Sequence, residues 1–177
     1  MSGDEFEDFD SLFRQHRPRI FRFIYASLRS RETAENLTQD CFVRAYQARQ
    51  QFRQNCSVGT WFMQIAANLI RDHESSSRLK FWRRNLQSNA DLVDLGRAIP
   101  DQQQSPETLA VIKDQVQAIW NAAASLPIRQ RTVFLLRFVE DMSLLEIAEV
   151  TGMKEGTVKI HLFRALQSVR ARLEATT

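Results

Sequence analysis

The sequence lacks the long apolar runs, cysteine pairs and glycine-rich loops that mark several large classes of protein. No apolar run approaches the roughly 18 residues that a membrane-spanning helix needs, and the acidic start MSGDEFEDFD is unlike a secretory leader. Cys41 and Cys56 form no CxxC pair and the three histidines are scattered, so neither a disulfide framework nor a zinc cluster is indicated. There is no P-loop for binding nucleotide phosphates. We therefore expect a cytoplasmic protein without a metal or a cofactor.

Glycine and proline are also scarce, with five and four among 177 residues, which is too few for a loop-rich β protein. Hydrophobic residues make up 44% of the chain, enough to bury the core of one domain or of two small ones. The net charge of +3 permits binding to nucleic acid without demanding it. The composition therefore favours a helical protein, and the placement of its charges has to indicate the partner.

The segment 143–173 is typical of a helix-turn-helix. Ser143 followed three residues later by Glu146 is a capping box, which predicts the start of a short helix. Gly152 suits the tight turn that follows, because glycine enters left-handed backbone space without a steric penalty. Beyond the turn, apolar residues recur at helical spacing and predict one long amphipathic helix. This predicted stripe consists of Val158, Leu162, Leu166, Val169 and Leu173.

The other face of this last helix is basic, with five cations against one acid between residues 153 and 172. The cations are Lys154, Lys159, Arg164, Arg170 and Arg172, the acid is Glu155, and His161 lies among them. A recognition helix in the major groove of DNA needs this sorting of apolar and basic faces. The alternative for the segment alone is a solvated helical hairpin.

Upstream, helical periodicity predicts helices over about 9–28 and 32–50, and a third that Thr60 caps. Pro18 should kink or divide the first of these helices. A run of cations and aromatics over 78–84 could grip a nucleic-acid strand, or could be an exposed helix end.

Periodicity fails over 87–104, and the proline and acid of Ser105-Pro106-Glu107 begin a new helix. The predicted fold is therefore all-α. It has two small helical domains, 1–86 and 105–177, joined by a flexible linker, and the second domain contains the helix-turn-helix.

Taken together, these residues resemble the bacterial RNA polymerase sigma factors of the small extracytoplasmic-function (ECF) class. In the first half the resemblance rests on the run from Ala34 to Phe42, on Phe52 and on Thr60, Trp61, Phe62, Ile65, Ala66 and Asn68. In the second half it rests on Leu126, Pro127, Arg131, Val133, Phe134, Leu136, Arg137, Ser143, Glu146, Ile147, Ala148, Gly152, Gly156, Thr157, Val158, Lys159, Phe163, Arg164 and Ala165. The matching residues occur in order along nearly the whole chain.

The resemblance implies an alternative sigma factor that directs promoter-specific initiation and is not an enzyme. Its expected partners are promoter DNA, an anti-sigma factor, and core RNA polymerase, bound through the largest-subunit clamp and the flap, with no insertion into a membrane. The residues expected to bind the clamp are Glu35, Gln39, Asp40 and Arg44. Those expected at the −10 element are Gln54, Asn55, Cys56, Ser57, Trp61, Asn68, Arg71 and Arg78. Those expected at the −35 element are Lys154, Thr157, Lys159, Ile160, His161, Phe163 and Arg164.

The chain also departs from the family pattern. Ile160 and His161 stand where a serine and an arginine are frequent, Asn36 replaces a commoner aspartate, and serines occupy 75–77 where arginines are frequent. Three other functions remain open from the sequence. They are a helix-turn-helix regulator that binds operator DNA without polymerase, an enzyme acting on nucleic acid, and a protein-binding helical adaptor. The second lacks any catalytic set at a usable spacing.

Overall fold

A computed structural model describes residues 8–81 and 106–175 of the chain, with side chains over 8–76 and 111–175. These residues form seven α-helices and a short 3-10 turn, and none of them lies in a strand. The amino-terminal half (8–81) contains α1 (Phe9–Leu28), α2 (Arg31–Ala48), the 3-10 turn (Arg49–Gln51) and α3 (Val58–Phe81). The carboxy-terminal half (106–175) contains α4 (Pro106–Ala124), α5 (Ile128–Phe138), α6 (Leu144–Thr151) and α7 (Glu155–Glu174). The all-α prediction is confirmed, whereas the predicted linker 87–104 lies outside the described residues.

The first two helices begin at side-chain caps. The Asp8 carboxylate accepts a hydrogen bond from the Ser11 N–H at 3.0 Å, and Ser30 caps α2 from the residue before it. Arg29 adopts a left-handed conformation, with φ of 60°, where the chain turns between the two helices. α1 runs through Pro18 without a break, so this proline does not divide the helix.

The third helix begins earlier than the sequence predicts. The Ser57 hydroxyl accepts from the Thr60 N–H at 3.1 Å, so Ser57 is the cap and Thr60 lies inside the first turn. The prediction of Thr60 as the cap was wrong because a second capping residue stands three positions upstream. α3 then continues to Phe81 and includes the serine run 75–77 as helix.

Aromatic rings and small residues build the core of the amino-terminal half. The ring centroids of Phe13 and Phe42 lie 4.8 Å apart, and those of Phe42 and Phe62 lie 5.1 Å apart, both edge to face. Such pairs add about 0.5–1.5 kcal/mol beyond the burial of their area. Ala34 and Ala66 are fully buried, and residues of this size let α1, α2 and α3 approach closely.

In the carboxy-terminal half, α7 packs against both α4 and α5. Ala165 is fully buried in this contact, whereas Leu166 is 43% exposed. The placement of Leu166 in the apolar stripe was therefore wrong. The small side chain of Ala165 fits the close approach of two helices, and this turns the bulkier Leu166 outward.

The two halves are packed against each other. α1 contacts α5 and α3 contacts α6, and one hydrophobic cluster continues from Ile24 and Ile70 to Val133 and Ile147. Arg131 of α5 donates to the carbonyl oxygen of Ser27 in α1. The described structure is therefore a closed arrangement of the two halves.

Candidate nucleic-acid interface

The helix-turn-helix begins at the predicted capping box. The Ser143 hydroxyl accepts from the Glu146 N–H at 3.2 Å, and the Ser143 N–H donates to the Glu146 carboxylate at 2.8 Å. This backbone hydrogen bond, followed by the bond to the Ser143 side chain, lowers the pKa of Glu146. The reciprocal bonds fix the start of α6, and the prediction is confirmed.

The turn between α6 and α7 is held by local hydrogen bonds. Gly152 is left-handed, with φ of 70°, as the tight turn requires. The Thr151 hydroxyl donates to the Ile147 carbonyl at 2.6 Å and accepts from the Met153 N–H at 3.4 Å. α7 is therefore positioned by α6 through a short, defined connection.

The outward side of α7 forms a continuous exposed surface, which we call the recognition face. It consists of Thr157, Lys159, Ile160, Phe163 and Arg164, together with Lys154, the residue just before α7. Glu155 pairs with Lys159 at 2.7 Å, and both side chains are about half exposed. An exposed pair one helical turn apart contributes only about 0.2–0.5 kcal/mol, so a phosphate can compete for this lysine.

His161 was predicted to face DNA together with the residues of the recognition face, but it is half-buried. Its Nδ1 is buried and has no hydrogen-bond partner among the described residues. Burial, together with the nearby charges of Arg129 and Arg164, lowers the pKa of His161. This shift favours the neutral imidazole, so the positive charge of the recognition face comes from its lysines and arginine.

The residues predicted for the −10 element occupy the loop before α3 and the start of that helix. Gln54 has a left-handed φ of 54°, and Asn55 and Ser57 are exposed. Cys56 is half-buried, and its pKa is raised by burial and by the charge of Glu149 in α6. The loop therefore lies near α6 of the other half.

The α3 residues predicted for the same element differ in exposure. Trp61 is half-buried, with its ring 5.0 Å from that of Phe52 and 5.7 Å from that of Phe62. Asn68 is half-buried and Arg71 is exposed, with the Arg71 Nε 3.8 Å from a carboxylate oxygen of Asp72. Arg78 lies in α3, but its side chain is outside the described residues.

The four residues predicted to bind the polymerase clamp are all exposed on α2, and Glu35 pairs with Arg31 at 3.0 Å. The sequence reasoning missed Val43 and Tyr46, two large exposed hydrophobic residues of the same helix. These two residues and Phe13 help to line a groove of about 720 Å³ between α1 and α2. In the sequence, both residues lie outside the helical row of α2 that is predicted to be buried, and this spacing could have identified them as exposed hydrophobic residues.

A second groove, of about 240 Å³, lies between the two halves. Ile70 and Arg71 of α3 line one side, and Thr132, Gly152 and Met153 of α5 and the turn line the other. The closed arrangement therefore brings a residue predicted for the −10 element next to the turn of the helix-turn-helix.

Residues 8–81 and 106–175 were also searched for a metal site, a reactive cysteine and a membrane-spanning helix. No group of three metal-ligating side chains occurs among the described residues. Cys41 is buried, which raises its pKa to about 12, so its thiol is not a nucleophile at neutral pH. Within the described chain, no helix has the length and apolar character to span a membrane.

Comparison with known proteins identifies the family. The model of sigma-70 region 2 matches residues 12–79, and that of sigma-70 region 4 matches residues 116–169. The ECF RNA polymerase sigma factor SigM of Mycobacterium tuberculosis is 30% identical over 173 residues, which cover 98% of this chain and 78% of SigM. The chain belongs to the ECF RNA polymerase sigma factors. The resemblance noted in the sequence is thereby confirmed. The match to region 4 contains α6 of this sigma factor and α7 as far as residue 169.

Two further relatives can be compared with this sigma factor, one for its length and one for its fold. It is 31% identical to the ECF sigma factor BldN of Streptomyces coelicolor over 170 residues, which are 96% of this chain but 61% of the length of BldN. The sigma factor RpoE of Bartonella quintana, solved with the anti-sigma factor NepR, has a TM-score of 0.69 at 21% identity. That match covers 95% of this chain and 98% of RpoE, and it indicates a shared fold.

Proposed function

We propose that this sigma factor binds core RNA polymerase through the exposed face of α2 and directs promoter-specific initiation. In this proposal the recognition face of α7 enters the major groove at the −35 element. The loop 54–57 and the exposed side of α3 capture the opened strand of the −10 element. Flipping a base out of a duplex costs a few kcal/mol, which would have to come from binding energy, because the chain has no P-loop for nucleotide hydrolysis.

The observation that carries the proposal is the sorting of side chains around α7. Val158, Ala165 and Val169 are buried, while Lys159 and Arg164 project into solvent from the opposite side. Cations on a helix that is fixed by a capped partner helix suit phosphates and base edges in a groove.

The closed arrangement bears on how both promoter elements could be bound together. The names of the −10 and −35 elements place their centres about 25 base pairs apart, or roughly 85 Å along the duplex at about 3.4 Å per base pair. Arg71 and Gly152, in contrast, line one groove of about 240 Å³. We therefore propose that the two halves separate when the sigma factor binds polymerase and promoter.

The test is run-off transcription with purified core polymerase and a library of bacterial promoters. The expected result is specific initiation from a subset of templates, only when the sigma factor is present. Folded protein that stimulates no template would contradict the proposal. Tight binding to a duplex operator by a dimer without polymerase would instead support the alternative regulator.

We also propose that an anti-sigma factor binds this chain, as NepR binds RpoE of Bartonella quintana in the solved complex. The test is affinity purification from the native cell, followed by addition of each purified partner to the run-off reaction. A partner that binds the sigma factor and abolishes its transcription supports the proposal. Failure of every stable partner to inhibit transcription argues against it.

A further inference from the structure

The recognition face contains two large apolar side chains that nothing in the described structure covers. Ile160 is 53% exposed and Phe163 is 61% exposed. They are three residues apart in α7, and residues at this spacing lie on the same side of a helix. Neither can donate or accept a hydrogen bond through its side chain, so neither can read the donor and acceptor pattern of a base pair.

The charges around this pair indicate what covers it. Lys159 and Arg164 are the immediate neighbours of Ile160 and Phe163 in the chain, and both are exposed. Cations next to an apolar pair fit the edge of a DNA duplex better than an apolar protein groove, because the duplex presents phosphates on both sides of its bases. In the major groove, the apolar group that a base pair presents is the C5-methyl of thymine.

The position of Ile160 in the helix fits a contact with a base edge. It is the sixth residue of α7, which begins at Glu155. In helix-turn-helix proteins the amino-terminal residues of the recognition helix contact the bases. Leu166, also exposed on α7, lies almost two turns beyond Ile160 and about 120° from Ile160 around the helix axis, so it should not reach the base edge that Ile160 contacts.

We propose that Ile160, with Phe163 beside it, contacts the C5-methyl group of a thymine in the −35 element and selects that thymine by apolar contact. The inference rests on the proposed function, since it requires α7 to enter the major groove at that element. It adds that one position of the promoter is chosen by a methyl group and not by a hydrogen bond.

The experiment replaces each thymine of the −35 element, one at a time, by deoxyuridine, which removes only the methyl group. Binding of the holoenzyme to each promoter is measured for the wild type and for Ile160→Ala. The matched control is Leu166→Ala, which removes an exposed apolar side chain elsewhere on the same helix. Circular dichroism of each free variant checks that it folds, as expected for substitutions at exposed positions.

The wild type and Leu166→Ala should each lose affinity about four-fold at one substituted thymine, the factor expected for one buried methyl-sized group. Ile160→Ala should bind the thymine and deoxyuridine promoters equally. Equal binding of all these promoters by the wild type, or a −35 element without thymine, would overturn the inference while leaving the proposed function intact. A methyl effect that persists in Ile160→Ala would overturn the role of Ile160. A holoenzyme that binds no promoter at all would contradict the proposed function itself.

Discussion

Arg19 of α1 and Glu140, just beyond the end of α5, form an ion pair that joins the two halves of the molecule. The Glu140 side chain is 4% exposed and that of Arg19 is 34% exposed. One oxygen of Glu140 accepts from the Arg19 Nε, and the other is buried without a hydrogen-bond partner among the described residues. The carboxylate has therefore given up most of its hydration for one partner in the other half.

Replacement of Glu140 by glutamine should destabilise the closed arrangement. The amide keeps the shape of the side chain but loses the charge, so Arg19 loses its ionic partner. Because Arg19 remains partly solvated, the expected loss is about 1–3 kcal/mol, below the range for a fully buried pair. The free energy of unfolding in urea measures it.

The control is Asp141→Asn, at the next residue. The Asp141 carboxylate is fully solvated, and it lies 3.8 Å from Arg137 within the carboxy-terminal half. Asparagine tolerates the left-handed φ of 53° at this position, so the backbone should not be strained. A change above about 0.5 kcal/mol in this variant, or none in Glu140→Gln, would argue against the role of the ion pair.

Arg164→Ala should weaken promoter binding by the holoenzyme, since this exposed side chain lies on the recognition face. If it contacts a base edge, the loss should be about 1–3 kcal/mol and confined to one base pair. If it contacts a phosphate, the slope of log K against log salt should fall by about one. Binding is measured between about 50 and 200 mM salt.

Arg170→Ala is the matched control for this measurement, because Arg170 is exposed on the same helix six residues further along. It removes the same charge outside the recognition face, so its effect should be clearly smaller. Equal losses in the two variants would mean that general charge, and not the recognition face, drives binding.

The capping box should make stability depend on pH through Glu146. Hydrogen bonds from Ser143 lower its pKa from the ordinary value of 4.5, so ionised Glu146 stabilises the folded state above that value. This contribution is lost as the pH falls through the lowered pKa of the folded state. Wild type should therefore be more stable than Glu146→Gln by about 0.5 kcal/mol at pH 7, and this difference should shrink as the pH falls below 4.5.

Urea unfolding at several pH values between about 3 and 7 measures this effect. Glu149→Gln removes a carboxylate from the same helix but outside the capping box, and is the control for the loss of one charge from α6. A difference between wild type and Glu146→Gln that stays constant down to pH 3 would falsify the assignment of the pH effect to Glu146.

Local signals in the sequence predicted the structure well where neighbouring residues decide it. Ser143, Glu146 and Gly152 act within a few positions of one another, and Pro106 begins α4 as predicted. The prediction that Thr60 caps α3 was wrong for a local reason, because Ser57, three residues upstream, is the cap. In such cases the sequence contains every group that competes for the position.

Contacts between distant residues could not be predicted in this way. Ala165 and Leu166 both fit a helical spacing, and only the packing of α4 and α5 on α7 decides which is buried. The partners Arg19 and Glu140 are separated by 121 residues, and neither belongs to a local motif. The site residues themselves came from the family resemblance, since exposure alone does not distinguish a bound surface from a solvated one.

Gly152→Ala should loosen the helix-turn-helix, whereas Gly156→Ala should not. A Cβ at either position would meet nothing within 4 Å, so any difference comes from the backbone. Gly152 has φ of 70°, where an L side chain costs about 1–2 kcal/mol, and that should be the loss in stability. Gly156 lies in the first turn of α7, where alanine should add about 0.4–1 kcal/mol by restricting the unfolded chain. Urea unfolding of the two variants should therefore shift in opposite directions, and a loss of stability in both would mean that space, not φ, limits these positions.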